Sequence, residues 1–343
     1  MKCAKFAIGV AFGAVTILPA SAAPVTRVAA PAYRVSSSIA GPDGGWDYAR
    51  VDPVTHRLYV ARSTAITVVD TKSGRTIRSI GAFSHGHAVV PVSGGRLLVT
   101  SGDDATVRFL SADDGHELAK LSVGAKPDAA ILSRDGRQAF VMNADSGNVS
   151  VIDIGNMRVT DTITVKPALE YAAETPDGMV LVNNEDGGEI DVVDVARRTT
   201  LAPIAMPGCT APSGLAYDER TGRLIAACDN GKAAIVDAKR RTLIGLVDIG
   251  LGPDAVLLDA ERRLAFVPCG KDGVLDMLSL TGPTVTRVGR VVTEKGARTG
   301  AIDSTTGAIY LPTASFSAKA AANGRPVPLP GSFHVLVVRP VAE

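Results

Sequence analysis

Short apolar runs recur along the chain, each set off by a polar turn. They are Arg57-Leu58-Tyr59-Val60, Arg96-Leu97-Leu98-Val99, Gln138-Ala139-Phe140-Val141, Val180-Leu181-Val182, Leu224-Ile225-Ala226, Leu264-Ala265-Phe266-Val267 and Ile309-Tyr310-Leu311. A second run follows each of the first six by about ten residues. It ends at Asp70, Ser111, Asp153, Asp194, Asp237 and Ser279, at intervals of 41, 42, 41, 43 and 42 residues. So regular a period is the mark of a repeat architecture in which each unit stacks on its neighbours. The runs are rich in β-branched residues, and no segment after the N-terminal one keeps an apolar period of about 3.6 residues.

Within the first unit four strand signals follow one another: Tyr48–Val51, Arg57–Ala61, Ile66–Asp70 and Thr76–Ile80. Turn residues such as Asp52-Pro53 and Ser73-Gly74 separate them. Four strands in about 42 residues predict a β-propeller blade. Seven first strands are expected, starting near Trp46, His85, Lys126, Ala168, Pro212, Gly252 and Ala297. The seventh unit has only three of its own strands, at Gly300–Asp303, Ile309–Pro312 and Phe333–Val338. Tyr33–Ile39 resembles Thr76–Ile80 and supplies the fourth. The expected fold is therefore all-β: a seven-bladed propeller of four-stranded blades, its ring closed by the N-terminal strand. Closure leaves no open sheet edge. Residues 31–341 form a single domain in this reading, with six or eight blades as the structural alternative.

The N-terminal segment has a different pattern. Lys2 and Lys5 precede the apolar stretch Phe6–Leu18, and Ala20-Ser21-Ala22 offers a small-residue cleavage site. Residues 1–22 read as a secretory signal peptide and 23–30 as a linker. A periplasmic or secreted location is the expectation, with no membrane insertion, because the stretch is too short to remain as an anchor. Whole-chain charge is balanced, 36 Lys+Arg against 35 Asp+Glu. Nucleic acid is not an expected partner, since a dedicated binder would show a basic excess.

Beyond the signal segment stand three cysteines, Cys209, Cys228 and Cys269, with no Cys-x-x-Cys pair. Cys228 and Cys269 end equivalent strands of neighbouring blades, too far apart for a disulfide. Cys209 precedes the blade that contains Cys228, and this pair is the disulfide candidate. Three free thiols remain the other possibility.

The usual catalytic and nucleotide-binding motifs are absent. Function must then be sought where the blades converge. Aligning the first strands places Tyr48, His87, Asp128, Glu170, Gly214, Asp254 and Thr299 at one equivalent position. Trp46, Asp47, His85, Lys126, Ser213 and Arg298 come just before. The candidate ligand site is this channel mouth: Trp46, Tyr48, His85, His87, Asp128, Glu170, Asp254 and Arg298. Blander readings stand beside it. Trp46 could pad a groove between blades, and Pro127-Asp128 and Pro253-Asp254 could be repeat turns. His85 and His87 lie on one face and could share a metal with Asp47 or Asp128, but no metal, cofactor or catalytic residue is assigned. The acidic run Asn183–Glu189 reads as a hairpin turn rather than a calcium loop. The long segment Ser317–Leu329 is expected to overhang the mouth as a lid or a disordered loop.

Unit three reads Ala139-Phe140-Val141-Met142-Asn143, a polar loop, then Asn148-Val149-Ser150-Val151-Ile152-Asp153. It resembles the YVTN-type propeller repeat. The closing segment, Leu311-Pro312-Thr313-Ala314-Ser315-Phe316 and then Pro330-Gly331-Ser332-Phe333-His334-Val335-Leu336-Val337-Val338, is similar to that of YncE-like periplasmic propellers. The resemblance implies a secreted seven-bladed protein of the binding kind, and a non-catalytic monomer that takes a small ligand or an envelope protein is the expectation. Two alternatives stay open. One is a lactonase-like hydrolase using mouth carboxylates, with or without a metal. The other is an accessory of a periplasmic redox or quinoprotein system.

Overall fold

The computed structural model describes residues 1, 2, 4, 32–319 and 326–341. The expected signal peptide and linker fall almost entirely outside these residues. Twenty-eight strands, β1–β28, form seven four-stranded antiparallel sheets, and no helix occurs among the described residues. The protein is a seven-bladed β-propeller. Blade 1 is β2 (Trp46–Asp52), β3 (Arg57–Arg62), β4 (Ile66–Asp70) and β5 (Arg75–Ile80). The first strands of blades 2 to 7 are β6 (Gly86–Val92), β10 (Pro127–Leu132), β14 (Leu169–Glu174), β18 (Pro212–Asp218), β22 (Leu257–Asp259) and β26 (Ala301–Asp303). Each first strand touches those of the blades on either side, and β26 returns to β2. Among the described residues no helix is long and apolar enough to cross a membrane.

The last blade is completed from the other end of the chain. β1 (Tyr33–Ala40) pairs antiparallel with β28 (His334–Pro340), which pairs with β27 (Ala308–Thr313). The ring is thereby fastened by backbone hydrogen bonds between the two ends of the fold.

Burial follows from strand position within a blade. Second and third strands are covered on both faces and read as continuous apolar runs, such as Leu58-Tyr59-Val60-Ala61 and Ile66-Thr67-Val68-Val69. Fourth strands lie at the rim and alternate exposed and half-buried residues, as in Arg75–Ile80. The repeat aspartate ends the third strand because it closes the next turn. Asp70 Oδ1 accepts hydrogen bonds from the Lys72 and Ser73 amides at 2.9 and 2.7 Å. Asp153, Asp194 and Asp237 accept in the same way from the amides of Asn156, Arg197 and Arg240. The hydroxyls of Ser111 and Ser279 take over this role, more weakly, in blades 2 and 6.

Candidate functional site

The first strands begin with a shared backbone device. His85, Lys126, Ala168 and Ala211 sit in the left-handed region at φ of 56°, 51°, 67° and 46°, and Gly252 and Gly296 do so in blades 6 and 7. The next residue pairs with the second strand, as in Gly86↔Ser101, Pro127↔Asn143, Leu169↔Asn184 and Pro212↔Cys228. Pro253↔Cys269 is the counterpart in blade 6. The ladder then slips by one residue before regular pairing resumes, and blade 1 shows the same bulge after Trp46↔Arg62. A bulge leaves one residue out of the ladder and re-aims it.

The residue after the pairing one therefore occupies the ring around the mouth: Asp47, His87, Asp128, Glu170, Ser213 and Asp254. Arg298, two residues beyond Gly296, fills it in blade 7. This corrects the sequence alignment in three blades, where Tyr48, Gly214 and Thr299 were placed one residue too deep. Apolar periodicity does not mark a bulge.

The ring is electrostatically dense. His87 Nδ1 lies 2.7 Å from Asp47 Oδ2 and 3.1 Å from Asp128 Oδ1. Lys126 Nζ reaches Asp128 Oδ2 at 3.3 Å, and Arg298 Nε donates to Asp254 Oδ2 at 2.7 Å. Thr299 fastens blade 7 to blade 1 by donating from its hydroxyl to the Asp47 carbonyl at 2.9 Å. Burial opposes the charge on Asp128 and Glu170 and raises both, helped by Asp47 for the first and by Asp128 and Asp254 for the second. Burial also lifts Asp254, to about 6, against the pull of Arg298. Burial works against the His87 imidazolium, but the Asp47 hydrogen bond and the charge of Asp128 outweigh it and raise its pKa. Four carboxylates thus converge on two lasting cations and one histidine.

Asp47, His87 and Asp128 each place one ligand atom within 4.8 Å of the others. Two carboxylate oxygens and an imidazole nitrogen suit a divalent cation of the first transition row. These three side chains come from blades 1, 2 and 3. The Nε2 of His87 is buried without a partner. A single Nδ1 proton cannot serve both carboxylates well, so the trio is not fully satisfied by its own hydrogen bonds.

Below the ring, Tyr48 meets Tyr171 with centroids 5.1 Å apart. Tyr48 is buried, and its phenol is pushed well above its ordinary value by burial and by the surrounding carboxylates. On the far side of this pair the channel widens into a cavity of about 380 Å³, lined by the C-terminal halves of the first strands. The carboxylate ring and the cavity thus occupy opposite ends of the channel.

Besides Tyr48, two predicted members do not join the ring. Trp46 packs on Phe333 and Phe316, at 5.4 and 6.2 Å between centroids, in the cluster that joins blade 1 to blade 7. His85 is exposed and faces Asp103 at 3.2 Å, although its ring lies 4.4 Å from that of His87. Two participants lay outside the sequence reading: Tyr171 and, deeper, Arg50. Their signal was a polar or aromatic side chain on an inner strand, interpretable only once the channel was known. The stem of the long segment folds back beside Trp46 through Ser317 N to Val327 O and Leu329 N to Ser315 O, both 2.8 Å. Residues 320–325 lie outside the described residues. Asn183–Glu189 includes a tight hairpin turn, with the Gly187 amide donating to Asn184 Oδ1 at 2.8 Å.

Cys209 and Cys228 are joined, with Cα atoms 5.4 Å apart. Cys269 is free and buried, and burial together with Asp276 pushes its thiol up to about 12.

No family model matches the chain. A curated relative, the seven-bladed beta-propeller protein Rv1057 of Mycobacterium tuberculosis, is 28% identical over 171 residues. The match spans 47% of this chain and 43% of that protein, less than half the length of either. Among solved structures, a chain of Kuenenia stuttgartiensis hydrazine synthase superposes with a TM-score of 0.73 at 14% identity, covering 87% of this chain and 96% of that one. The first similarity is to part of a seven-bladed β-propeller protein, and the second concerns the fold alone.

Proposed function

We propose that this propeller is a non-catalytic binding module of the cell envelope that uses the channel mouth to hold a cationic ligand. The observation that carries the reading is the convergence of Asp47, Asp128, Glu170 and Asp254 around His87, Lys126 and Arg298. Raised carboxylate pKa values mean that protons relieve the crowding when no ligand is present. A bound cation would displace them. A divalent metal suits the Asp47–His87–Asp128 trio best. The N-terminal segment supports export, and the YVTN-like repeat and YncE-like closing segment support a place among envelope propellers.

Calorimetry of the protein with Zn²⁺, Mn²⁺, Ca²⁺ and spermidine tests this. Saturable binding of one cation at neutral pH is expected, with proton release and a loss of about tenfold or more in D128N. No cation binding between about pH 6 and 8 would overturn it.

One observation favours a second reading, a mouth hydrolase. Glu170, pushed toward its protonated form by burial and the neighbouring carboxylates, shares the mouth with the hydrogen-bonded Asp47–His87 pair, an arrangement that suits an acid and a base partner. Lactone hydrolysis abolished in E170Q would establish it in place of the binding role.

A further inference from the structure

The cavity beyond the tyrosine pair is lined by a cation that no other described residue neutralises. Arg50 stands two residues after Tyr48 on β2, so both side chains face the channel. Its guanidinium carbon lies 5.5 Å from the Tyr171 ring centroid. Among the described residues it makes no side-chain hydrogen bond and no ion pair. The titratable group that acts on it is Tyr48, which stays neutral.

The two most buried arginines among the described residues, Arg62 and Arg263, are provided for. Arg62 donates to the Gly44 and Gly45 carbonyls, both at 2.8 Å, and to Thr67. Arg263 grips Asp218 with two hydrogen bonds of 2.6 and 2.8 Å. The charged groups nearer the cavity rim are also occupied: the Arg134 side chain with Glu219, and its amide with Glu174. Arg50 alone of this group points into the cavity with its donors free. Arg50 is half-buried, and a guanidinium does not escape by losing its proton, so its partial desolvation without an anion is unfavourable. Burial lowers its pKa, in keeping with that cost.

We propose that this cavity is a second binding site, distinct from the mouth, that takes an organic monocarboxylate. The carboxylate would accept two hydrogen bonds from the Arg50 fork. Its apolar body would lie against the Tyr171 ring and the walls formed by Ile131, Leu215, Leu257 and Ile302. The volume, about 380 Å³, falls within the range of roughly 300–1,000 Å³ found for small-molecule sites. Glu174 and Glu219 at the rim oppose a multiply charged anion, which favours a monocarboxylate over a phosphate.

Calorimetric titration of the full chain with benzoate and hexanoate tests the assignment, with benzamide as the neutral counterpart and inorganic phosphate as the plain anion. Benzoate is expected to bind at least about tenfold tighter than benzamide or phosphate. R50Q should lose that margin, and R50K should keep part of it, because the charge remains without the planar fork. R50Q removes an unpaired cation and is expected to melt no lower than the wild type, so loss of binding is not loss of fold. Equal binding of benzoate and benzamide overturns the proposal, and so does unchanged benzoate affinity in R50Q. Phosphate binding as tightly as benzoate overturns the class of ligand assigned.

Discussion

Tyr48 and Tyr171 meet with centroids 5.1 Å apart and planes inclined at 52°, although they come from blades 1 and 4 on opposite sides of the ring. The contact spans the channel and divides it. Above lies a ring of carboxylates that favours cations; below lies a cavity whose free charge is a guanidinium. One pore thereby presents two environments of opposite electrostatic sense, and the neutral phenol of Tyr48 stands between them.

The tyrosine contact should be measurable as a coupling. Y48A and Y171A are each expected to destabilise the fold, by about 3 kcal/mol if they behave like other buried aromatic truncations. The double variant should lose less than the sum, by about 0.5–1.5 kcal/mol, since the pair is lost once. Urea unfolding of the four proteins gives the coupling, and strict additivity would show that the rings do not interact.

Above about pH 5, where the aspartates lowered in the folded state are already ionised, stability should fall as pH rises. Asp128, Glu170, Asp254 and His87 all hold their protons more tightly in the folded state. A raised folded pKa gives a contribution that is complete below the unfolded value and is lost as pH climbs through the folded one. For Asp254 that window runs from 3.8 to about 6, and for Glu170 it starts at 4.5 and extends well into the alkaline range. The melting temperature is therefore expected to be higher near pH 5 than near pH 9, by about a few degrees. E170Q should flatten the slope and raise stability at about pH 9 by roughly 1 kcal/mol after allowance for solvent screening. An E170Q profile parallel to the wild type would rule out the assigned protonation.

Asp218 and Arg263 tie blade 5 to blade 6 by a buried, two-pronged ion pair. Removing one partner strands the other charge, so D218A and R263A are each expected to cost about 3–5 kcal/mol. Replacing both with apolar residues should cost much less, because no charge is left unpaired. Chemical denaturation distinguishes these outcomes, and two harmless single variants would show that the pair is dispensable.

The Cys209–Cys228 bond closes a loop with a sequence separation of 19. A loop of that length predicts a loss of about 3 kcal/mol when the bond is reduced or replaced by serines. Cys269, buried and with its thiol pushed up to about 12, should resist alkylation in the native protein and react only on unfolding. Mass spectrometry after alkylation, with and without reductant, reads both; rapid native labelling of Cys209 or Cys228 without reductant would disprove the bond.

The blade count, the strand order and the completion of the last blade by Tyr33–Ala40 were all legible in the linear pattern. Each rests on local chemistry repeated at a fixed interval: alternating or continuous apolar runs, and an Asp or Ser that closes the next turn. Such signals need no partner elsewhere in the chain to be read. His87, Asp128, Glu170 and Asp254 could likewise be placed at one level by alignment alone. The bulge at the start of the first strands of blades 1 to 5 could not, because it is set by backbone pairing with the second strand, and this moved Asp47 and Ser213 into the ring. Trp46 was drawn away by Phe316 and Phe333, which approach it only when the two ends of the fold close the circle. The Tyr48–Tyr171 contact and the solitary charge of Arg50 were decided by tertiary structure for the same reason. They depend on distances across the channel between blades far apart in sequence, and no repeat period encodes what lies on the other side of a ring.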